Sequence, residues 1–330
     1  MIDVEAPGVP VLIPASGIPS LGGLRCLVLG AGGFLGGALA SALCERGAAV
    51  SGYGRPPHRS DLDGRVAWTT ASLADTHALA SALAGQEAVF HFVGSTIPET
   101  SNEDPAQALI DEVHGTIGLL DACVRSGVKK IVFASSGGTV YGVPALIPTP
   151  ESAATDPISA YGIHKLAVEK YLALYRRLYG LDYLVLRLAN PYGRGQSPFK
   201  KQGVIASMLH AALSGAPIEI WGTGEVVRDF VHIDDVVSAL ALGLAYDGPE
   251  RIFNVGSGVG RSVNEILREV QIVLGASNLR VVRKPGRAAD VPVSVLDTEL
   301  IERELGWHAT IDIRAGIRDT AAWMRAALAG

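Results

Sequence analysis

Short apolar runs alternate with stretches of helical spacing from Leu24 to Asn190. RCLVLG (25–30) is nearly all apolar and reads as a buried strand. FLGGALASALCERG (34–47) repeats its apolar positions at helical spacing and stops at Gly47, a residue that ends helices. AAVSGYG (48–54) and VAWTT (66–70) read as the second and third strands. ADTHALASALAG reads as a helix with Asp75 near its start. EAVFHFVG (87–94) is the fourth strand, a helical stretch runs over about 103–126, and KKIVFASS (129–136) is the fifth strand. A helix over 161–180 and a sixth strand, LDYLVLRLAN (181–190), follow. Strands that alternate with helices imply a parallel sheet covered on both faces. The fold class expected is α/β, a doubly wound parallel sheet with ligands at the carboxyl ends of its strands.

After Asn190 the regularity thins. Helical stretches near 201–214, 235–246, 262–274 and 313–328 alternate with short strands near 218–221, 251–254 and 279–283. This predicts a smaller, mixed α/β C-terminal lobe, some of whose segments return to the sheet. Residues 1–23 are rich in Pro and Gly and carry Asp3 and Glu5 where a signal peptide would be basic, so they read as an extension. The chain of 330 residues is 48% hydrophobic and 18% charged, which suits a well-buried globular protein. A net charge of -5 argues against nucleic acid as a partner, and no segment is long and apolar enough to span a bilayer. Cys26, Cys44 and Cys123 are far apart and show no metal spacing, so no metal site is expected. They read as reduced core residues of a cytoplasmic protein.

GAGGFLG (30–36) joins the first strand to the first helix. Gly30, Gly33 and Gly36 let the backbone turn tightly and approach a pyrophosphate. The helix start at Phe34 and Leu35 supplies amide donors and the positive end of a dipole. The context is that of a dinucleotide-binding Rossmann turn. The second strand of such folds normally ends in an acid that bonds the adenosine ribose and repels a 2′-phosphate. Here the tip reads YGRPPHR, with Gly54 at the acid's place and Arg55, His58 and Arg59 after it. The tip therefore tolerates NADP, although a solvated basic loop reads equally well. Ser72 and Leu73 are candidate adenine contacts. Phe92, Val93, Gly94 and Ser95 should flank the pyrophosphate and ribose.

YGIHK (161–165) places a phenol and an ammonium on one helix face. The ammonium of Lys165 would lower the pKa of Tyr161, which makes the phenol an acid/base near neutrality. Taken with GAGGFLG, HFVG and SSGGTVYG, this segment resembles the extended short-chain dehydrogenase/reductases. The nearest likeness is to NAD-dependent sugar-nucleotide epimerases and dehydratases of the UDP-glucose 4-epimerase kind. LRLANPYG (186–193), QGVI (202–205), VVRDFVHIDD (226–235) and GRAADVP (286–292) fit the same resemblance. It covers nearly everything from Leu24 onward.

The resemblance implies a dinucleotide-binding Rossmann domain over 24–190 and a nucleotide-sugar-binding lobe over 191–330. It implies Tyr161 as catalytic acid/base and Lys165 as its partner, which also holds the nicotinamide ribose. The Ser or Thr that the family places four residues before the Tyr of VYG is Gly137 here, so Ser136 or Thr139 is expected to bond the reacting hydroxyl. Glu112 stands where the family usually has Asn. SSGGTVYG carries no carboxylate, which sets the chain apart from the related dehydratases. Arg228 and Arg287 match diphosphate-binding arginines, Asp290 a ribose contact and Asn190 a diphosphate contact. Val204 and the strand around Ile220 are expected at the base pocket. Ser294 is small where plain-hexose epimerases carry an aromatic, which leaves room for an N-acetylated sugar. The expected activity is 4-epimerisation of a UDP-hexose or UDP-N-acetylhexosamine with retained NAD, in a homodimer paired through 103–126 and 161–180. An NADPH-dependent 4-ketoreductase and a non-catalytic dinucleotide-binding protein are the alternatives.

Overall fold

The apolar runs become parallel strands because each is buried on both faces by helices that the same chain supplies in turn. A computed structural model of the chain describes residues 21–55, 62, 64–94, 100–199, 203–286 and 291–329. The first part runs β1 (Arg25–Leu29), α1 (Phe34–Glu45), β2 (Ala49–Tyr53), β3 (Ala67–Thr69), α2 (Thr76–Leu83) and β4 (Ala88–His91). It continues through α3 (Pro105–Leu109), a π-turn (Ile110–His114), α4 (Gly115–Ser126), β5 (Lys130–Ser136), the single turn α5 (Gly137–Val140), α6 (Ala160–Tyr179) and β6 (Asp182–Leu188). The later part runs β7 (Asn190–Tyr192), α7 (Val204–Ser214), β8 (Ile218–Trp221), β9 (Val227–His232), α8 (Ile233–Ala245) and β10 (Ile252–Val255). It ends with β11 (Gly260–Ser262), α9 (Val263–Leu274), β12 (Val281–Lys284), β13 (Val293–Ser294), α10 (Glu299–Leu305) and α11 (Ile313–Ala329).

The main sheet has seven strands in the order β10-β6-β5-β4-β1-β2-β3, and its described pairs are parallel. The strand order reverses between β1 and β4, and such a reversal opens a crevice at the carboxyl edge. One apolar cluster fills the face covered by α1 and α8, with Leu39, Leu43, Val236 and Leu240 fully buried. The other fills the face covered by α2, α4 and α6, with Leu79, Leu119, Cys123 and Leu172 at its centre. Strand β10 and helix α8 thus belong to the main sheet, although they follow the first lobe in sequence.

The smaller lobe has its own core of Ile205, Leu209, Ile218, Ile266 and Ile317. Strand β9 is its hub: it pairs with β7, β11 and β13. A separate two-stranded piece joins β8 to β12. Among the described residues no helix is long and apolar enough to cross a membrane.

Candidate active site

The glycine turn between β1 and α1 has the shape a pyrophosphate needs. Gly30 has φ +83°, in the left-handed region that favours glycine. Gly33 donates its N–H to the Gly30 carbonyl at 2.9 Å and caps α1 without a side chain, so the first-turn amides of α1 meet no side-chain cap. A Cβ on Gly36 would run into the Gly30 carbonyl and stand 2.9 Å from Ala31 Cα. The helix can press against the strand only because that Cβ is absent. Phe34 and Leu35 are half-buried in the first turn. The backbone of Phe92, at the end of β4, lies 3.2 Å from where a Gly30 Cβ would be. Val93 is half-buried and Gly94 exposed beside it, while Ser95 lies outside the described residues.

At the tip of β2, Gly54 has φ +119° and donates its N–H to the Thr69 carbonyl at 3.1 Å. Its own carbonyl accepts the indole N–H of Trp68 at 3.3 Å. Arg55 is exposed there, and His58 and Arg59 lie outside the described residues. The Ser72 carbonyl accepts the Tyr53 hydroxyl at 2.7 Å, and Leu73 packs 3.4 Å from where a Gly115 Cβ would stand.

Helix α6 carries Tyr161 and Lys165. Ser159 caps it by accepting the Gly162 N–H at 3.2 Å. Ser101 and Asn102 clasp the same end, accepting the N–H groups of Tyr161 at 3.0 Å and Ala160 at 2.9 Å. Lys165 Nζ donates to the Ala134 carbonyl at 3.1 Å, and lies 4.7 Å from the Phe133 ring centroid and 5.5 Å from that of Tyr161. The ionisation of Tyr161 is opposite to the sequence expectation. Burial raises its pKa, and the Glu112 carboxylate raises it further. Burial lowers that of Lys165, against the pull of Glu112 and Glu169. Loss of hydration is the larger of the two causes that raise the Tyr161 pKa.

The hydroxyls of SSGGTVYG divide into separate roles. Ser135 donates to Glu169 Oε1 at 2.5 Å and so belongs to a buried network. Glu169 accepts two bonds from Arg187, at 2.7 and 3.1 Å. Arg187 also reaches the Tyr141 hydroxyl at 2.9 Å, which donates to Asn254 Oδ1 at 2.7 Å. Sequence reasoning passed over this network. Its signal was a charged Arg187 in the middle of the apolar run of β6. Gly137 is closed to any side chain: a Cβ there would meet Leu296 Cδ1 at 2.5 Å and the Arg187 carbonyl at 3.2 Å. Ser136 is half-buried and makes no capping bond. The Thr139 hydroxyl is buried and has no hydrogen-bond partner among the described residues.

On the substrate side, Asn190 donates to the Asp229 carbonyl at 3.0 Å. Arg228 Nη1 donates to the carbonyls of Val227 at 2.9 Å and Val291 at 2.6 Å. Ser294 sits directly opposite Arg228 in the parallel pairing of β13 with β9, and is buried. Asp229, which the sequence reading did not single out, accepts the N–H groups of Ser257 at 2.7 Å and Gly258 at 3.2 Å. Val204 is half-buried at the start of α7. Ile220 departs from expectation: the alternation of β8 turns Ile218 and Ile220 into the lobe's core and Glu219 and Trp221 outward. A cleft of about 390 Å³ does open beside that strand, lined by Trp221, Thr223, Glu225, Val226, Gly286 and Pro292 among others. Arg287 and Asp290 lie outside the described residues.

A glycine cradle, a Tyr–Lys pair on α6 and a mixed second lobe meet at one edge of the sheet, and the sequence agrees. Residues 26–256 match the model of the NAD dependent epimerase/dehydratase family. The chain belongs to that family. It is 34% identical over 311 residues to a UDP-glucose 4-epimerase of Mycolicibacterium smegmatis, covering 92% of this chain and 99% of the relative. Its structure superposes on the UDP-glucose 4-epimerase of Thermotoga maritima, solved with UDP-glucose, with a TM-score of 0.88 at 34% identity. That match covers 92% of this chain and 100% of the other. The Thermus thermophilus UDP-glucose 4-epimerase, solved with NAD, gives 0.85 at 32% identity and covers 92% and 100%. The chain is thus an enzyme of the NAD-dependent sugar-nucleotide epimerase class. Its own residues fit the cofactor: a Cβ at Gly36 would fill the cradle, and the first-turn amides of α1 point at it uncapped.

Proposed function

We propose that this enzyme inverts C4 of a UDP-linked hexose or N-acetylhexosamine and keeps NAD resident. The reading rests on the buried, unpartnered Thr139 hydroxyl beside the Tyr161–Lys165 helix turn: the Thr139 carbonyl lies 2.8 Å from where a Gly162 Cβ would be. A polar atom held dry without a partner costs stability, unless a ligand completes it.

When bound, NAD supplies reversible hydride acceptance at the sugar carbon. Gly30, Gly33 and Gly36 would hold its pyrophosphate, and Tyr161 and Lys165 its nicotinamide ribose. Tyr161 takes the proton of the sugar 4-hydroxyl and returns it once the ring has offered its other face. The accepting form is the phenolate, which Lys165 stabilises until the proton arrives, and its charge acts strongly because water is excluded. Thr139 holds the 4-oxygen in line, with Ser136 as the lesser contact. Arg228, anchored through Nη1, presents its guanidinium to the diphosphate together with Asn190. The cleft at Trp221 receives the base. Ser294, small and next to Arg228, leaves room for a 2-acetamido group.

Arg55 at the tip of β2 favours a second reading, an NADPH-dependent 4-ketoreductase. Retention of cofactor separates the two, since a ketoreductase must exchange it at each turnover. We also assign a homodimer as the working form. Ile163, Leu174 and Leu178 on α6 and Leu109 and Ile110 beside it are exposed apolar residues. The unpaired Cys26, Cys44 and Cys123 suit a reducing, cytoplasmic compartment.

The test is to incubate the purified enzyme, without added cofactor, with UDP-glucose and UDP-N-acetylglucosamine separately, and to follow the 4-epimer by proton NMR. Product is expected from both. Tyr161→Phe should lower kcat by roughly 10²–10⁴-fold. Thr139→Val should lower it by about 10–100-fold, the worth of one strong hydrogen bond. Absence of product unless NADPH and a 4-keto sugar are supplied would transfer the reading to the ketoreductase.

A further inference from the structure

A buried ion pair lies beneath the turn that carries Ser136 and Thr139, and the chemistry proposed above does not use it. Arg187 and Glu169 are each 2% exposed. Two bonds join them, from Nη2 to Oε2 at 2.7 Å and from Nε to Oε1 at 3.1 Å. Their neighbours in β6, Val185, Leu186 and Leu188, are apolar and buried. An apolar pair of similar volume is often as stable in such a place, or more so, because both charges must shed their water. What the ion pair adds is direction, since the guanidinium fork donates to fixed positions in one plane.

The fork reaches both ends of the turn. Before the turn, Arg187 stands directly opposite Ser135 in the parallel pairing of β5 with β6. Ser135 Oγ donates to Glu169 Oε1 at 2.5 Å, the same oxygen that Arg187 Nε engages. The neighbouring Ala134 carbonyl accepts Lys165 Nζ at 3.1 Å, and Glu169 lies one helix turn beyond Lys165 on α6. After the turn, Arg187 Nη1 donates to the Tyr141 hydroxyl at 2.9 Å, with Cζ 4.9 Å from the centre of the Tyr141 ring. That hydroxyl donates to Asn254 Oδ1 at 2.7 Å, and Asn254 is itself fixed by bonds to the carbonyls of Thr149 and Asp297. The Arg187 carbonyl lies under the middle of the turn, 3.2 Å from where a Gly137 Cβ would be. Between these fixed points, Thr139 Oγ1 has no partner among the described residues and Ser136 makes no capping bond. The backbone of the turn therefore sets their aim.

We propose that Arg187 is a positioning residue for the reaction. Through Glu169 and Ser135 on one side and Tyr141 on the other, it fixes the turn that aims Ser136 and Thr139 at the sugar oxygen. It fixes with it the Ala134 carbonyl that holds Lys165. The inference rests on the reading of these groups as the ones around the reacting hydroxyl, and it is independent of which sugar is turned over.

The experiment compares the full-length wild type with S135A, Y141F and R187K. S135A and Y141F each remove one hydroxyl and free one end of the turn, whereas R187K keeps the charge and loses the fork. Each protein is measured for kcat and KM with UDP-glucose and UDP-N-acetylglucosamine, for bound NAD and for melting temperature. Hydrogen–deuterium exchange over 134–142 is followed without substrate. S135A and Y141F should each lower kcat by about 10-fold and R187K by about 10²-fold, the scale of a misplaced reacting group, with KM and bound NAD within about twofold of wild type. Exchange over the turn should be faster in all three. A fall in kcat that only follows lost cofactor or lost folded protein would reduce Arg187 to a structural role and overturn the proposal. So would an unchanged kcat in both S135A and Y141F, which leave the ion pair intact should R187K fail to fold. Inactivity of the wild type toward both UDP-sugars would count against the substrate reading. Unchanged exchange in S135A and Y141F would then still overturn this proposal, and faster exchange would sustain it.

Discussion

His91 closes β4 near Lys165, and its Nε2 lies 2.9 Å from Thr116 Oγ1. Burial first, and the Lys165 charge second, push its pKa from 6.5 down to about 3. Below pH 6.5 the unfolded chain binds a proton that the folded chain refuses. The stability from this group is therefore whole above that pH and falls toward pH 3, by about 1.4 kcal/mol per pH unit. Urea midpoints should drop between neutral and mildly acid pH in the wild type, and drop less in His91→Gln. An equal acid slope in the variant would assign the loss to other groups. At this scale the sequence was readable for the proximity of Tyr161 and Lys165, which are one helix turn apart. It was not readable for Gly137. That residue reads as a lost hydroxyl, and the cause lies in Leu296, far along the chain.

Helix α1 owes its place to an absence. The Cβ missing at Gly36 is what lets the helix start approach β1, and the same approach shapes the cofactor turn. Gly36→Ala should cost about 1–3 kcal/mol through overpacking. It should also reduce the dinucleotide that copurifies with the protein, as measured by absorbance after denaturation. Retention of full cofactor with unchanged melting would mean the turn yields more easily than its backbone packing allows. The long elements of the main sheet follow the apolar pattern closely, because periodicity records burial directly. The short ones did not show. β7, β11 and β13 are two or three residues long, and they exist by pairing with β9, which the pattern also passed over. The π-turn around Glu112 was read as plain helix, since an inserted residue leaves the apolar spacing nearly intact.

For the whole molecule, Ile163, Leu174 and Leu178 form an exposed apolar line on α6. Such a stripe on an otherwise polar helix is the surface expected to carry the proposed homodimer. Sedimentation of the wild type should give a dimer at micromolar concentration, and Leu174→Glu with Leu178→Glu a folded monomer. A monomeric wild type would leave the stripe to another partner. The lobes also interlock more than their order implies, with β10 pairing β6 inside the main sheet.

The sequence by itself determined whatever a local pattern can encode. That includes the strand–helix alternation, the glycine turn, and the phenol and ammonium on one helix face. Each is settled within one or two turns of chain by sterics, burial period and backbone freedom. Only the tertiary structure decided which hydroxyl is left without a partner among the described residues and what charge surrounds the phenol. Ser135 is claimed by Glu169, 34 residues away, and Tyr141 by Asn254, 113 residues away. Burial, and Glu112 from a different segment, raise the pKa of Tyr161. Electrostatics in a dry interior depend on distance in space, and no local spacing in the chain records it.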